Sequence, residues 1–281
     1  MFAFGYICTI DITMRKSISL LLIMFMFSSC SKFQKLMKST DMEAKYEAAV
    51  KYYDKKDFFH ALQLFEELIS VYRGTTKAES SYYYYSYCTY HVDDFTLAAY
   101  HFNNFVQSYP NSKHAEEMQY MYAFCYYLDS PVSSLDQSST LEAIDKFQLF
   151  INKYPSSSRV EEANKMIDEL RFKLEEKAFS NAKLYFKTQH YKSAVVAFEN
   201  LLKDYPASRF KEESLFLSFK SAYYYALNSI ESKQEERLKT AKEEYLKLVD
   251  IFPKSPYLRE AEGMYGSVES KLADYTNSRL P

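Results

Sequence analysis

A regular spacing of apolar residues recurs five times along the chain. Each copy has Ala, an aromatic residue four positions later and a second aromatic seven positions beyond that. Because an α-helix has 3.6 residues per turn, the three positions fall on one helix face. Pro directly follows in four copies and is expected to end the helix; the first copy has Arg73 and Gly74 there. The copies are Ala61/Phe65/Tyr72, Ala98/Phe102/Tyr109, Ala143/Phe147/Tyr154, Ala194/Phe198/Tyr205 and Ala241/Tyr245/Phe252.

A second pattern lies upstream of each copy and predicts a partner helix. It is a small residue followed three positions later by an aromatic, and it is degenerate only in copy two. In copies one, two and four the small residue precedes the Ala of the next helix by 12 positions. Longer intervals in copies three and five predict insertions in the turn, near residues 130–138 and 229–235. The pairs are Ala49/Tyr52, Ser86/Thr89, Ala123/Tyr126, Ala182/Tyr185 and Ala222/Tyr225.

These helix-turn-helix units resemble the tetratricopeptide repeat, whose signature contains a small residue, Tyr, Ala-x3-Phe and a closing Pro. The Trp of that signature is absent, since the chain contains no Trp. The prediction is an all-α, right-handed tetratricopeptide-like solenoid of helical hairpins, with five repeats plus a C-terminal capping helix. The alternative is an irregular helical bundle.

The repeats divide the chain into segments. Repeats one to three are expected over residues 41–158. Residues 159–187 contain neither Pro nor Gly and keep a helical period. They predict a long connecting helix that enters repeat four and marks a boundary between two halves. Residues 188–281 would contain the rest of repeat four, repeat five and the capping helix.

The amino terminus resembles the signal of a bacterial lipoprotein. Arg15 and Lys16 precede an apolar run over residues 17–27, and two Ser residues and Cys30 follow. A run of about 11 residues is too short to span a bilayer but is typical of a signal peptide. We expect residues 1–29 to be a signal peptide, with Met14 as the possible true start. Cys30 would be the lipid attachment site; an uncleaved helix with an ordinary Cys is the alternative.

The predicted lipid would place the protein at a membrane. Residues 30–40 would form a lipidated tether to the first repeat, and several acyl chains make such anchorage stable. By resemblance to Gram-negative sorting, Ser31 after the Cys favours the outer membrane. The expected location is therefore the outer membrane, lipid-anchored, on the periplasmic face.

Composition and motifs argue against several classes of function. The formal charge of -2 gives no sign of nucleic-acid binding. The chain has no Gly-rich phosphate loop, Gly-x-Ser-x-Gly, HExxH or zinc ribbon, and its five His residues are expected to be surface or turn residues. We therefore predict no catalytic residue, no metal site and no cofactor. Cys88 and Cys125 occupy equivalent repeat positions, where helices about 10 Å apart favour buried thiols over a disulfide.

Aromatic residues make up 18% of the chain and form a stripe on the first helices of repeats one to three. They lie three positions before, one after and four after the small residue, except that Val50 occupies the middle position in repeat one. First helices line the concave surface of tetratricopeptide solenoids, so by that resemblance the stripe would form a groove. Tyr rings with hydroxyls suit an extended peptide, although sugars or simple packing between repeats remain alternatives. The candidate peptide-binding residues are Tyr46, Tyr53, Tyr83, Tyr87, Tyr90, Tyr120, Phe124 and Tyr127.

The lipoprotein signal, the five repeats and the long helix together resemble the BamD family of outer-membrane β-barrel assembly lipoproteins, in a Bacteroidetes-type form. The most similar segments are residues 45–72, 147–158 and 180–206. The resemblance implies a non-catalytic protein whose amino-terminal repeats bind unfolded outer-membrane protein peptides and whose carboxy-terminal repeats bind a BamA-like barrel protein. Its remaining partner would be the membrane, through the lipid anchor, with no nucleic acid.

Two other functions remain open at this stage. One is a SusD-type glycan-binding lipoprotein, although such proteins are much longer and build the sugar site from insertions that this chain lacks. The other is a tetratricopeptide-repeat lipoprotein that acts as a scaffold for cell-wall or division machinery, which would need no aromatic groove.

Overall fold

A computed structural model describes residues 32–277, and the regular secondary structure in this range is helical. The predicted signal peptide, Cys30 and Ser31 lie outside the described residues, as do the last four residues. A short helical turn covers residues 32–37, and eleven longer helices follow. These are α1 (Met42–Asp54), α2 (Phe58–Val71), α3 (Ala78–His91), α4 (Phe95–Ser108), α5 (Ala115–Asp129), α6 (Ser138–Lys153), α7 (Val160–Lys187), α8 (Tyr191–Asp204), α9 (Lys211–Leu227), α10 (Glu231–Ile251) and α11 (Leu258–Asn277).

The repeated apolar positions form the core, as the spacing predicts. The small residue of each first helix is buried, and so is the Ala of each second helix. The first aromatic of the pattern is fully buried in repeats one to four. Ala and Ser at these sites let two helices approach closely, while the aromatic ring fills the space beside them. The five second-helix residues are Ala61, Ala98, Ala143, Ala194 and Ala241.

The second helices end where Pro predicts. In α4, α8 and α10 the last helical residue lies two positions before Pro, and the aromatic between them is the C-cap. Pro disfavours helical backbone in the preceding residue, so the aromatic leaves the helix while its ring still packs on it. The aromatic C-caps are Tyr109, Tyr205 and Phe252.

Repeats one, two and four each have a residue with unusual backbone conformation in the turn between their two helices. Lys56, Asp93 and Gln189 have φ values of 61°, 62° and 61°, in the left-handed region. Each donates its backbone N–H to a carbonyl three residues earlier, over 2.8, 3.1 and 3.0 Å respectively. In the first two repeats the next residue, Asp57 or Asp94, caps the second helix with its carboxylate. This turn accounts for the constant 12-residue interval.

The two predicted insertions differ in structure. Residues 130–137 form an irregular turn in which the Gln137 side-chain amide donates to the backbone carbonyls of Val132 and Leu135, over 2.9 and 3.1 Å. The insertion near residues 229–235 instead lengthens α10, which has 21 residues, rather than the turn. Glu, Gln, Lys and Arg in that segment have high helix propensity, which explains the difference.

The chain divides into two compact units. The first contains α1 to α5 and residues 152–154, and the second contains residues 130–151 and those from 155 onward. The sequence indicated a boundary at the long helix over residues 159–187. The observed division instead falls earlier in the chain, after Asp129. The reason lies in the inserted turn, which packs on α7: the Lys173 ammonium donates to the Ser130 hydroxyl over 2.7 Å. The predicted long helix itself is present as the 28-residue α7.

Helix packing within each unit follows one rule. From α1 to α5 and from α7 to α11, each helix contacts the next in the chain, and first helices also contact each other, as α1 does α3, α7 does α9 and α9 does α11. This is the packing of tetratricopeptide-like helical hairpins, and it confirms the predicted fold class. Within residues 32–277, no helix combines the length and apolar character needed to cross a membrane.

Candidate peptide-binding surface

The candidate residues all lie in the first unit, on the first helices α1, α3 and α5. Six of the eight side chains are half-buried, with part of the ring accessible to solvent. We call these six residues the aromatic surface: Tyr46, Tyr53, Tyr83, Tyr90, Phe124 and Tyr127. The other two, Tyr87 and Tyr120, are only 9% and 3% exposed. These two contribute to packing between helices, and their contact with a ligand remains a prediction.

Ring contacts join the first helices of neighbouring repeats. Between α1 and α3, the Tyr53 ring lies edge-on to Tyr84, with centroids 4.9 Å apart. Between α3 and α5, Tyr90 lies 6.5 Å from Phe124, which stacks in turn on Tyr127 at 5.8 Å. Such pairs each contribute about 0.5–1.5 kcal/mol beyond the area they bury. The aromatic surface is therefore held in place by the same contacts that join the repeats.

Hydroxyl groups give this surface a polar component. The Tyr87 hydroxyl donates to Glu117 Oε1 over 2.6 Å, and the Tyr46 hydroxyl donates to Ser80 Oγ over 3.1 Å. Burial raises the pKa of Tyr53, Tyr83 and Tyr90 above that of an ordinary tyrosine. These hydroxyls therefore remain protonated at neutral pH and can donate to the carbonyl groups of a bound peptide.

His91 lies at the centre of the aromatic surface, and the sequence did not indicate this. Its ring stacks on Phe58 with centroids 4.0 Å apart, and it also contacts Tyr53, Tyr87 and Tyr90. Burial lowers the pKa of His91, with Asp93 acting in the opposite direction. The ring is thus favoured in its neutral form and belongs to the aromatic contacts. Its position directly after Tyr90, at the end of α3, is the only signal that could have identified it.

An open depression borders the surface at the start of α3 and α5. Its volume is about 470 Å³. Tyr83 and Tyr84 form its aromatic wall, while Glu79, Lys113 and His114 supply charged and polar groups. The Tyr83 and His114 rings lie 4.5 Å apart. A site of this composition can accept a side chain together with adjacent polar backbone.

The expected surface location of the five His residues is wrong for His101. This residue of α4 is 8% exposed, and its Nδ1 lies 3.0 Å from the Tyr82 hydroxyl. It occupies the position three residues after Ala98, which turns toward the neighbouring first helix rather than toward solvent. Position within the repeat, and not His character alone, determines its burial.

The second unit has a more mixed set of side chains at the equivalent positions, of which Phe186 and Tyr223 are half-buried. At the corresponding positions, Phe179 and Phe219 are buried, and Lys183 forms an ion pair with Glu213 over 2.7 Å. The Lys183 ammonium also lies 5.2 Å from the Phe179 ring centroid. The aromatic surface is therefore a feature of repeats one to three.

Cys88 and Cys125 are free thiols, as the spacing predicts. Both are buried, with 0% and 1% exposure. Burial raises the pKa of each thiol to about 12. Neither is a reactive nucleophile at neutral pH, because the thiolate is the reactive form.

The packed helical hairpins define a tetratricopeptide-like repeat protein. The family model described as "YfiO: Outer membrane lipoprotein" matches residues 38–238. This range covers more than half of the chain, and the chain belongs to this family. No curated protein matches the chain.

Solved structures share the helical-repeat character only in outline. The chain is similar to the TPR2AB domain of yeast Sti1 in complex with pHSP90, with 13% identity over 81% of this chain and 98% of that one, at a TM-score of 0.37. A kinesin light chain with TPR-like repeats from Podospora anserina shows 11% identity over 73% and 95%, at a TM-score of 0.34. These values carry no inference about ligands.

Proposed function

We propose that this protein is a BamD-like, Bacteroidetes-type subunit of the machinery that assembles outer-membrane β-barrels. Cys30 carries the acyl chains that hold it on the periplasmic face of the outer membrane. Repeats one to three bind the aromatic-ended segments of unfolded barrel proteins, and the carboxy-terminal repeats bind a BamA-like subunit. The protein itself is non-catalytic.

One observation carries the peptide-binding part of this proposal. In an outer-membrane lipoprotein family member, three successive first helices present half-buried rings in mutual contact. Half-buried rings lose little conformational freedom on binding, and their protonated hydroxyls offer donors to an extended backbone. Unfolded barrel segments supply the matching groups, namely unpaired carbonyls and aromatic side chains.

Alanine variants of Tyr90 and Phe124 test this assignment. Both rings are partly exposed, and their loss should weaken binding of a labelled peptide with a C-terminal aromatic residue about 10-fold or more, or roughly 1.4 kcal/mol. Tyr100→Ala is the matched control, because this ring of α4 is 59% exposed and lies outside the aromatic surface. Helical circular dichroism should be unchanged in all three variants. An unchanged dissociation constant in the first two variants would refute the assignment.

A pull-down from detergent-solubilised membranes tests the assembly role. Mass spectrometry should identify a BamA-like barrel protein among the proteins recovered with the acylated chain. Recovery of glycan-uptake or cell-wall components alone would contradict the proposal while leaving the fold intact.

A further inference from the structure

The segment just after the proposed lipid site is packed against the first repeat. Phe33, in the helical turn over residues 32–37, is only 5% exposed. Its ring contacts Tyr52 of α1 and His60 of α2, with centroids 5.7 and 4.3 Å apart. It belongs to the same apolar cluster as Ala49 and Phe65. From residue 32 onward, the predicted tether is therefore part of the repeat structure.

A buried lysine attaches this turn a second time. Lys45 of α1 is 1% exposed, and its ammonium donates to the Met37 carbonyl over 2.9 Å and to Glu67 Oε2 over 2.6 Å. A buried ammonium without partners would cost several kcal/mol, so these bonds favour the docked position of the turn. The turn is thus joined to both helices of repeat one.

This packing limits the distance between Cys30 and repeat one. Three residue steps separate Cys30 from Phe33, and a fully extended chain spans at most about 3.6 Å per residue. Acyl chains on Cys30 would therefore hold Phe33, and the part of repeat one around it, within about 11 Å of the lipid attachment point. A tether this short keeps the residues around Phe33 near the bilayer surface.

The chemistry of this face suits a phospholipid surface. Lys32, Lys35 and Lys38 are exposed on the helical turn, and Lys55 and Lys56 are exposed in the turn that leads to His60. Nearby Asp57 is engaged as the cap of α2 and as the partner of the His60 ring. A lysine close to an anionic membrane surface contributes about 1 kcal/mol.

An exposed aromatic ring completes the face. Phe59 is 62% exposed, and its ring centroid lies 6.0 Å from that of His60, the residue that contacts Phe33. Apolar rings flanked by basic residues bind the boundary between headgroups and acyl chains. The Phe59 ring therefore borders the residue on which Phe33 packs, three residues after the proposed lipid site.

We propose that this face of repeat one, formed by Lys32, Lys35, Lys55, Lys56 and Phe59, binds the anionic headgroups of the membrane that holds the lipid anchor. The proposal rests on the acylation of Cys30 in the proposed function. It adds that the first repeat is fixed on the membrane rather than suspended from it.

An environment-sensitive NBD fluorophore on Phe59→Cys tests the contact. The acylated protein is reconstituted in vesicles of phosphatidylethanolamine and phosphatidylglycerol; the buried Cys88 and Cys125 do not compete for the label. NBD emission should rise about two-fold or more relative to a label on Tyr100→Cys, an equally exposed ring of α4. Replacing phosphatidylglycerol by phosphatidylcholine should reduce this difference. Equal emission at both positions would overturn the proposal.

A second variant tests the attachment, and mass spectrometry separates the two proposals. Phe33→Ala should release the turn and lower NBD emission at position 59 to that of the control, while helical circular dichroism is retained. Unchanged emission would contradict the role assigned to Phe33.

Mass spectrometry of the amino-terminal peptide reports acylation independently. An unacylated Cys30 refutes the proposed anchor, whereas an acylated Cys30 with a water-exposed position 59 refutes the membrane contact alone.

Discussion

Replacing the left-handed turn residues of repeats one, two and four by Gly should stabilise the protein, although Gly destabilises most helical positions. A non-Gly residue in this conformation costs about 1–2 kcal/mol, whereas Gly adopts it freely. Gly also loses more backbone freedom on folding, about 0.5–1 kcal/mol. Replacing Lys56 or Gln189, with φ values of 61°, by Gly should therefore raise the free energy of unfolding by about 0.5–1 kcal/mol each.

Asp93 allows the stabilising effects of the three substitutions by Gly to be ranked. Its φ of 62° is nearly the same, but Asp tolerates the left-handed region better than Lys or Gln. Asp93→Gly should therefore stabilise less than the other two substitutions. All three side chains are exposed, so loss of packing does not complicate the comparison. The double variant of Lys56 and Gln189 should gain about 1–2 kcal/mol, since these two sites lie in different compact units and their effects should add.

Thermal unfolding followed by circular dichroism measures the effect. For a chain of this size, 1 kcal/mol corresponds to about 2–4 °C in Tm. Glu66→Gly is the control, because it places Gly at an exposed position inside α2 and should lower the stability by about 0.5–1 kcal/mol. If Lys56→Gly and Gln189→Gly lower Tm as this control does, the reasoning about strain in the turn is wrong.

Two further predictions concern buried titratable groups. Burial lowers the pKa of His101, so the unfolded chain binds a proton more readily than the folded one. Stability should be unaffected by this group well above pH 6.5 and should fall as the pH drops below about 6.5, by at most about 1.4 kcal/mol per pH unit. His101→Gln should weaken that dependence in urea titrations at pH 7.5 and 5.5, and an equal loss in both proteins would exclude His101 as the cause. In a chain with Cys8 and Cys30 replaced by Ser, the thiols of Cys88 and Cys125, with pKa values of about 12, should react with Ellman's reagent at pH 8 only after denaturant is added. Rapid labelling of the native protein would show that at least one of them is accessible.

The fold could be predicted because the same spacing of buried residues recurs in every repeat. The pair of Ala61 and Phe65 has an equivalent Ala and aromatic residue in every repeat. Five copies with this spacing specify which helix faces are buried, where neighbouring helices meet and where the helices end. The aromatic stripe followed from the same periodicity. Insertions carry no such repetition, so the sequence could not show that residues 229–235 lengthen α10 while residues 130–137 form a turn.

Burial within the stripe could not be predicted from spacing. Tyr87 and Tyr120 share the stripe with Tyr90 and Phe124, yet only the latter two are half-buried. The difference arises from contacts between separate helices, such as the bond from Tyr87 to Glu117, which lie 30 residues apart in sequence. The docking of Phe33 was missed for a similar reason, since a single apolar residue in a polar segment forms no periodic pattern.

Contacts between consecutive helices have a consequence for how this chain folds. From α1 to α5 and from α7 to α11, each helix packs mainly on helices that lie close to it in sequence. Chains rich in such local contacts form them quickly, because little loop entropy opposes each step. Under the proposed export to the periplasm, the chain emerges amino terminus first, so each hairpin can fold once its second helix has left the translocation channel. The first repeat and the rings of α1, α3 and α5 can thus be assembled while the carboxy-terminal helices are still in transit.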